Sequence, residues 1–154
     1  MTKIVAFAIF STRRQEEITT ILWEDFDKEA SRITVRDMKN PKRKNNDVLC
    51  ELPPEAIVII ESTPRIDERI FPFTPDAISA AFTRACKFLE IIDLHFHDLR
   101  HERISRLFEM GRTIPQVAVV SGHRGWNSLE RYTHIRQSGD KYANWKWLPI
   151  RAGS

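Results

Sequence analysis

The densest chemistry in the chain lies in HFHDLRHERI, residues 95–104, where His95, His97 and His101 alternate with Arg100 and Arg103. One chemistry this suggests is metal binding, because His97 and His101 are four apart and would share a helix face, with His95 two residues earlier. Carboxylates and cysteines at the usual ligand spacings are missing, however, and HExxH is absent. A solvated polar face accounts for Glu102 and Arg103, but less well for His97 and Arg100, three apart at the start of a helix. An anion site uses more of the residues at once. Free N–H groups and the positive dipole end of a helix favour negative charge. Arg100 adds a planar fork for two phosphate oxygens, and His97 adds a donor or proton carrier.

Partners for such a site occur elsewhere in the chain. Downstream, SGHRGWNSLERYTHI places His123 in a Gly-His turn and Tyr132 nine residues later. Upstream, STRRQEEITTILWEDFD carries Arg14 and Glu17, and between them KNPKRKNND concentrates Lys39, Lys42, Arg43 and Lys44. Arg100, Arg103, Arg106 and Arg112 recur along a second basic segment. With 24 Lys+Arg against 21 Asp+Glu the net charge is only +3, so a polyanion must be held by a local patch rather than by the overall field.

The elements that must position these residues can be read in outline. At 154 residues and 42% hydrophobic content the chain suffices for one globular unit with a real core. Cys50 and Cys86 make no metal-type spacing and suit core positions in a reducing cytosol. The apolar start MTKIVAFAIF is too short to span a bilayer, and the spacing predicts a helix from Ile4 to about Leu22. RITVRDM (32–38) and VLCEL (48–52) alternate as strands of a hairpin with a basic tip. Thr74, Pro75 and Asp76 start a helix whose core stripe is expected at Ile78, Phe82, Ala85 and Leu89. Another is expected from Asp98 to Met110, with Ile104, Leu107 and Phe108 inward and Gly111 as its stop. Short helices follow near 114–120 and 127–135. The sum is an α+β fold, mostly helical with a small antiparallel sheet.

The ordered set resembles the catalytic domain of the tyrosine recombinase (phage integrase) family. That family carries an arginine in TGxRxxE ahead of an (L)xWxDxD stretch, a lysine in a β-turn, His-x-x-Arg, Gly-His and a tyrosine in an RYxH-like sequence. Here these are Arg14 and Glu17, then Leu22, Trp23, Asp25 and Asp27; Lys39 in DMKNPK; His97 and Arg100 in HDLRH; His123 in SGHRGW; and Tyr132 in ERYTH. The resemblance covers about Phe7 to Ile135. Thr12 stands where the family usually has glycine, and Ser121 where leucine is common.

The resemblance implies attack of the tyrosine on a DNA phosphodiester, giving a 3′-phosphotyrosyl link and a free 5′-hydroxyl. Charge accumulates on the phosphate oxygens, and two guanidinium groups, Arg14 and Arg100, can meet it without a metal. A phenol with a pKa of about 10 needs a base or a positive field, and His97 is the expected base. Lys39, with Lys42 or Lys44 as substitutes, would protonate the leaving oxygen, and His123 would donate to the phosphate. Glu17 and Asp25 are expected to orient or cap; His95, His101 and His134 are expected at supporting or surface positions. Lys42, Arg43 and Lys44 are the expected DNA contacts, and no cofactor is implied.

The expected partners are double-stranded DNA and other recombinase protomers on it, in the cytoplasm and without membrane attachment. Residues 1–136 are read as the catalytic domain, without the N-terminal core-binding domain that completes a DNA clamp, so weak DNA binding is expected. Residues 137–154 are read as a tail, with Trp145 and Trp147 either folding back or mediating assembly. The competing readings are a non-catalytic DNA-binding remnant of a prophage gene and a metal-dependent nuclease built on His95, His97 and His101.

Overall fold

The computed structural model describes residues 1–36 and 47–146. Lys39, Lys42, Arg43, Lys44 and Trp147 lie outside the described residues.

The stretch expected to be one helix from Ile4 to Leu22 is two: α1, Thr2–Ser11, and α2, Gln15–Thr20. The break is at Thr12, whose φ of 63° and ψ of 10° are left-handed. A β-branched residue is costly there, which is why the pattern did not announce a break. α1 is apolar nearly all round, so it becomes a central element. It buries Ile4, Phe7 and Phe10 and packs against α3 and α5, whose ranges follow.

The sheet has a strand more than the hairpin expected, in the antiparallel order β1 (Phe26–Asp27), β2 (Arg32–Val35), β3 (Val48–Glu51). Ile33 pairs with Cys50 and Val35 with Val48, and the period-2 pleat turns Ile33, Val35 and Cys50 inward. β2 as described ends at Val35, with Arg36 in a turn; the rest of the expected strand lies outside the described residues.

Pro54 opens α3, Pro54–Glu61, because a missing N–H costs nothing in the first helical turn. Ala56, Ile59 and Ile60 are its buried face. α4 runs Pro75–Phe88, with the Thr74 hydroxyl accepting from the Ala77 N–H at 3.2 Å. Its buried stripe is Ile78, Phe82 and Cys86; Ala85 is exposed. Leu89, past the last helical turn, is 62% exposed.

α5, Asp98–Glu109, buries Ile104, Leu107 and Phe108 as expected. It also buries Arg103 and Arg106 at 2% and 1% exposure, which corrects their reading as surface charge. Arg106 is held by Asp140 through two 2.5 Å hydrogen bonds and lies over the rings of Phe10 and Tyr142. That fork draws the tail inward, and Trp145 folds back onto Phe10 with ring centroids 6.1 Å apart. α6, Ile114–Ser121, packs on β3. The last helix, α7, covers only Asn127–Glu130, so Tyr132 lies in the turns that follow it. Among the described residues no helix is long and apolar enough to cross a membrane.

The strain at Thr12 can be weighed against its contacts. Its hydroxyl accepts from Arg13 Nη2 at 3.2 Å, but that nitrogen also donates to the Val120 carbonyl at 2.7 Å. Losing the hydroxyl therefore leaves no orphaned donor. Thr12→Gly should lie within about 1 kcal/mol of the parent, since relief of left-handed strain offsets glycine's chain entropy. Thr12→Val, which keeps the strain and loses the hydroxyl's hydrogen bonds, should cost about 0.5–1.5 kcal/mol. Denaturant midpoints of the two variants check this ordering.

Candidate active site

Arg100 sits one turn into α5, and its side chain crosses to two other segments. Nη1 donates to the Thr12 carbonyl at 2.6 Å; Nη2 donates to the Ser121 carbonyl at 3.4 Å and lies 3.5 Å from His123 Nε2. Both carbonyls are presented by left-handed turns. Thr12 ends α1, and Gly122, at φ 76°, ends α6 between Ser121 and His123. A left-handed residue at a helix end turns the chain sharply while leaving carbonyls free to accept.

Arg13 and Arg14 divide the work of the first motif. Arg13 is 1% exposed and structural, donating to the Val120 carbonyl and, at 3.1 Å, to Cys50 Sγ. Arg14 keeps a side-chain exposure of 39%. Its backbone N–H donates to Glu17 Oε2 at 3.0 Å, and its guanidinium lies 3.5 Å from Glu17 Oε1. Glu17 was expected to orient Arg14 or to cap; it lies against both Arg14 and Arg13. Asp25 likewise accepts from the Leu22 N–H and from Arg36.

The electrostatics show how close these groups are. Burial and the charges of Arg13 and Arg14 push Arg100 down to about 10, with Glu17 and Cys50 opposing. Burial and then Arg100, Arg14 and Arg13 push His123 down to about 4, so it is neutral at neutral pH. Its Nδ1 lies 2.6 Å from Ser121 Oγ, which gives the serine a role that sequence reasoning had recorded only as a departure. Among the described residues, three arginines and a half-buried histidine thus meet a single nearby carboxylate, Glu17, and an anion is what such a pocket lacks.

Tyr132 belongs to an adjoining cluster. It is 7% exposed and stacks on Phe108, with centroids 6.0 Å apart and planes within 5°. Its hydroxyl lies 2.5 Å from His101 Nδ1 and 2.8 Å from Arg131 Nη2. His97 is exposed at the N-cap of α5, its ring edge-on to that of His101 at 4.9 Å. His95 turns outward to Asp98, whose carboxylate accepts its backbone N–H. Among the described residues no three His, Cys, Asp or Glu side chains form a metal-ligand group.

Arg14, Arg100 and His123 are therefore together, with His97 and Tyr132 joined to them through the first turn of α5. Lys39 and the basic residues beside it lie outside the described residues. His101 was expected only at a supporting or surface position, and Arg131 was not singled out. The helical spacing from His97 to His101 was visible, but nothing local shows that Tyr132 folds onto that face.

Residues 2–138 match the phage integrase family. The chain belongs to that family. It is 36% identical over 135 residues to the shufflon-specific DNA recombinase of Escherichia coli, an alignment covering 86% of this chain and 34% of that protein. The chain thus spans about a third of the length of this curated relative. Among solved structures it is similar to XerA recombinase, with a TM-score of 0.68 at 20% identity over 97% of this chain and 57% of that one. It is also similar to a lambda integrase dimer bound to a COC′ core site, with a TM-score of 0.63 at 18% identity over 87% and 52%. These likenesses show the integrase catalytic-domain fold, α+β with one small antiparallel sheet, as the sequence implied.

The neutral state of His123 links this integrase-family site to pH. Its pKa falls from 6.5 unfolded to about 4 folded, so between those values the unfolded chain binds more protons. Stability is then fully present above pH 6.5 and is lost as pH falls toward 4. His123→Asn, which cannot titrate, should show a shallower loss of denaturation midpoint over that range.

Proposed function

We propose that this chain breaks and rejoins DNA strands through a 3′-phosphotyrosyl intermediate with Tyr132 as nucleophile. The observation that carries the reading is the cationic pocket: Arg14, Arg100 and His123 converge beside the first turn of α5, with a phenol docked on the same turn. A phosphodiester brings the missing negative charge, and two guanidinium groups bind its non-bridging oxygens as further charge develops. His123, neutral through burial, adds a hydrogen bond. The base comes from α5, where His97 and His101 are neighbours, and Lys39 protonates the 5′-oxygen that leaves. The phosphotyrosyl bond conserves the energy of the broken linkage, so rejoining needs no nucleotide.

The substrate is double-stranded DNA, engaged with other recombinase protomers in the cytoplasm. In support, the lambda integrase structure is a dimer on its core site, and one of the Tn1549 integrase structures is a complex with transposon right end DNA. Lys42, Arg43 and Lys44 are the proposed backbone contacts, so affinity falls steeply with salt. Residues 1–136 form the catalytic unit, onto which the described part of the tail folds back through Asp140 and Trp145.

The test is covalent trapping on a nicked substrate that loses its 5′-hydroxyl fragment after cleavage. The native chain should form an adduct, Tyr132→Phe none, and Arg100→Lys should slow trapping on the order of 10²-fold or more. If DNA is bound but no adduct accumulates, the chain is a DNA-binding remnant. If chelator abolishes cleavage while Tyr132→Phe does not, the nuclease reading replaces this one.

A further inference from the structure

We infer that His101, rather than His97, is the base that takes the Tyr132 proton, and that Arg131 holds the phenolate so formed. The inference rests on the strand-cleavage reading above and names the residues that activate its nucleophile.

The argument starts from one atom with no choice of role. Arg131 Nη2 lies 3.1 Å from His101 Nδ1 and 2.8 Å from Tyr132 Oη. A guanidinium nitrogen only donates. Taken as a hydrogen bond, its contact with His101 assigns the lone pair to Nδ1 and the ring proton of the neutral imidazole to Nε2. With Arg131 already donating to Oη, the phenolic hydrogen points along the remaining 2.5 Å contact, from Oη to Nδ1. The phenol thus donates to a neutral base and accepts from a fixed cation, which is the arrangement that favours its ionisation.

The surroundings preserve that arrangement. The Arg131 guanidinium carbon sits 4.9 Å from the centre of the Tyr132 ring, and Phe108 stacks parallel to the same ring. Burial, then His97 and Arg131, lower the proton affinity of His101, against Asp98, so its basic form is populated at neutral pH. His97 makes no polar contact with Tyr132 among the described residues; its neighbour is the His101 ring.

The step balances without any further reagent. The Oη–H bond breaks as Nδ1–H forms, leaving an imidazolium and a phenolate beside Arg131. Oη then bonds to phosphorus while the bond from phosphorus to the 5′-oxygen breaks, and that oxygen takes a proton from the cationic lysine of the proposed mechanism. On rejoining, His101 returns its proton to Oη.

The experiment uses this chain on the nicked substrate in two forms, with oxygen or with sulfur at the bridging 5′ position. A thiolate leaves without a proton, so sulfur relieves a missing acid and not a missing base. His101→Gln keeps a hydrogen-bonding group near Oη but cannot take a proton. It should slow adduct formation about 10²–10⁴-fold on both substrates, and more than His97→Gln does, while the Lys39→Ala defect should shrink on sulfur. A ¹⁵N spectrum of the wild-type chain should show His101 Nδ1 unprotonated, with a shift that moves in Tyr132→Phe. Trapping by His101→Gln within about threefold of wild type, with Tyr132→Phe inert, overturns this assignment alone. A proton on Nδ1 at neutral pH overturns it whatever the trapping shows. No adduct from the wild-type chain overturns both this and the reading beneath it.

Discussion

The site depends on one guanidinium group. Arg100 donates to the carbonyls that follow α1 and end α6, so three segments far apart in sequence are fixed relative to one another by a single planar fork. Each carbonyl is available because the chain turns left-handed at or just after it. A lysine would supply the charge but not the two divergent donors, and a hydrophobic side chain would leave both buried carbonyls unpaired. Packing of α1 against α5 and of α6 against β3 brings the segments near; the fork sets their final positions.

The same fork explains why the pocket can hold so much positive charge. Burial, then the charges of Arg13 and Arg14, lower the proton affinity of Arg100, and among the described residues one carboxylate, Glu17, lies among them. Such a cluster is tolerable because most of its donors are spoken for: Arg13 by the Val120 carbonyl and Cys50, Arg100 by Thr12 and Ser121. What remains uncompensated is charge rather than hydrogen bonds. On the proposed reading, an incoming phosphate would meet preorganised cations without rearranging them, the condition under which electrostatic stabilisation is most effective.

Much of this was legible in the sequence, and the failures have physical reasons. His-x-x-Arg, Gly-His and the paired arginines are short motifs whose spacing is set by local geometry, and the structure places Arg14, Arg100 and His123 near one another, with His97 one turn from Arg100. The sheet and α4 were announced by alternation and by the Thr74–Pro75 start. The break at Thr12 was hidden because threonine is a poor marker of left-handed backbone. α3 was hidden because a proline pair marks a helix start as readily as an interruption. Arg103 and Arg106 look like surface charge in any window of sequence; their burial depends on Phe10 and Asp140, tens of residues away. Long-range pairing likewise concealed His101, since only the folded chain shows that Tyr132 lies against it.

The position of His97 follows from helix geometry. At about 100° per residue, His97 projects between Arg100, about 60° to one side, and His101, about 40° to the other. Dihedrals of −62° and −27° continue the helix through His97. His97 therefore stands at the seam between the anion pocket and the phenol cluster, exposed, touching the His101 ring and one turn from Arg100. On the proposed reading, a histidine there is well placed to meet the phosphate as it enters. The phenol cluster behind it is self-sufficient: the buried hydroxyl of Tyr132 has two partners, and each partner touches the other. Removing that hydroxyl leaves no buried group stranded, because Arg131 and His101 remain hydrogen-bonded to each other. The tyrosine's oxygen is thus dispensable to the fold and is held in place by the residues that would activate it.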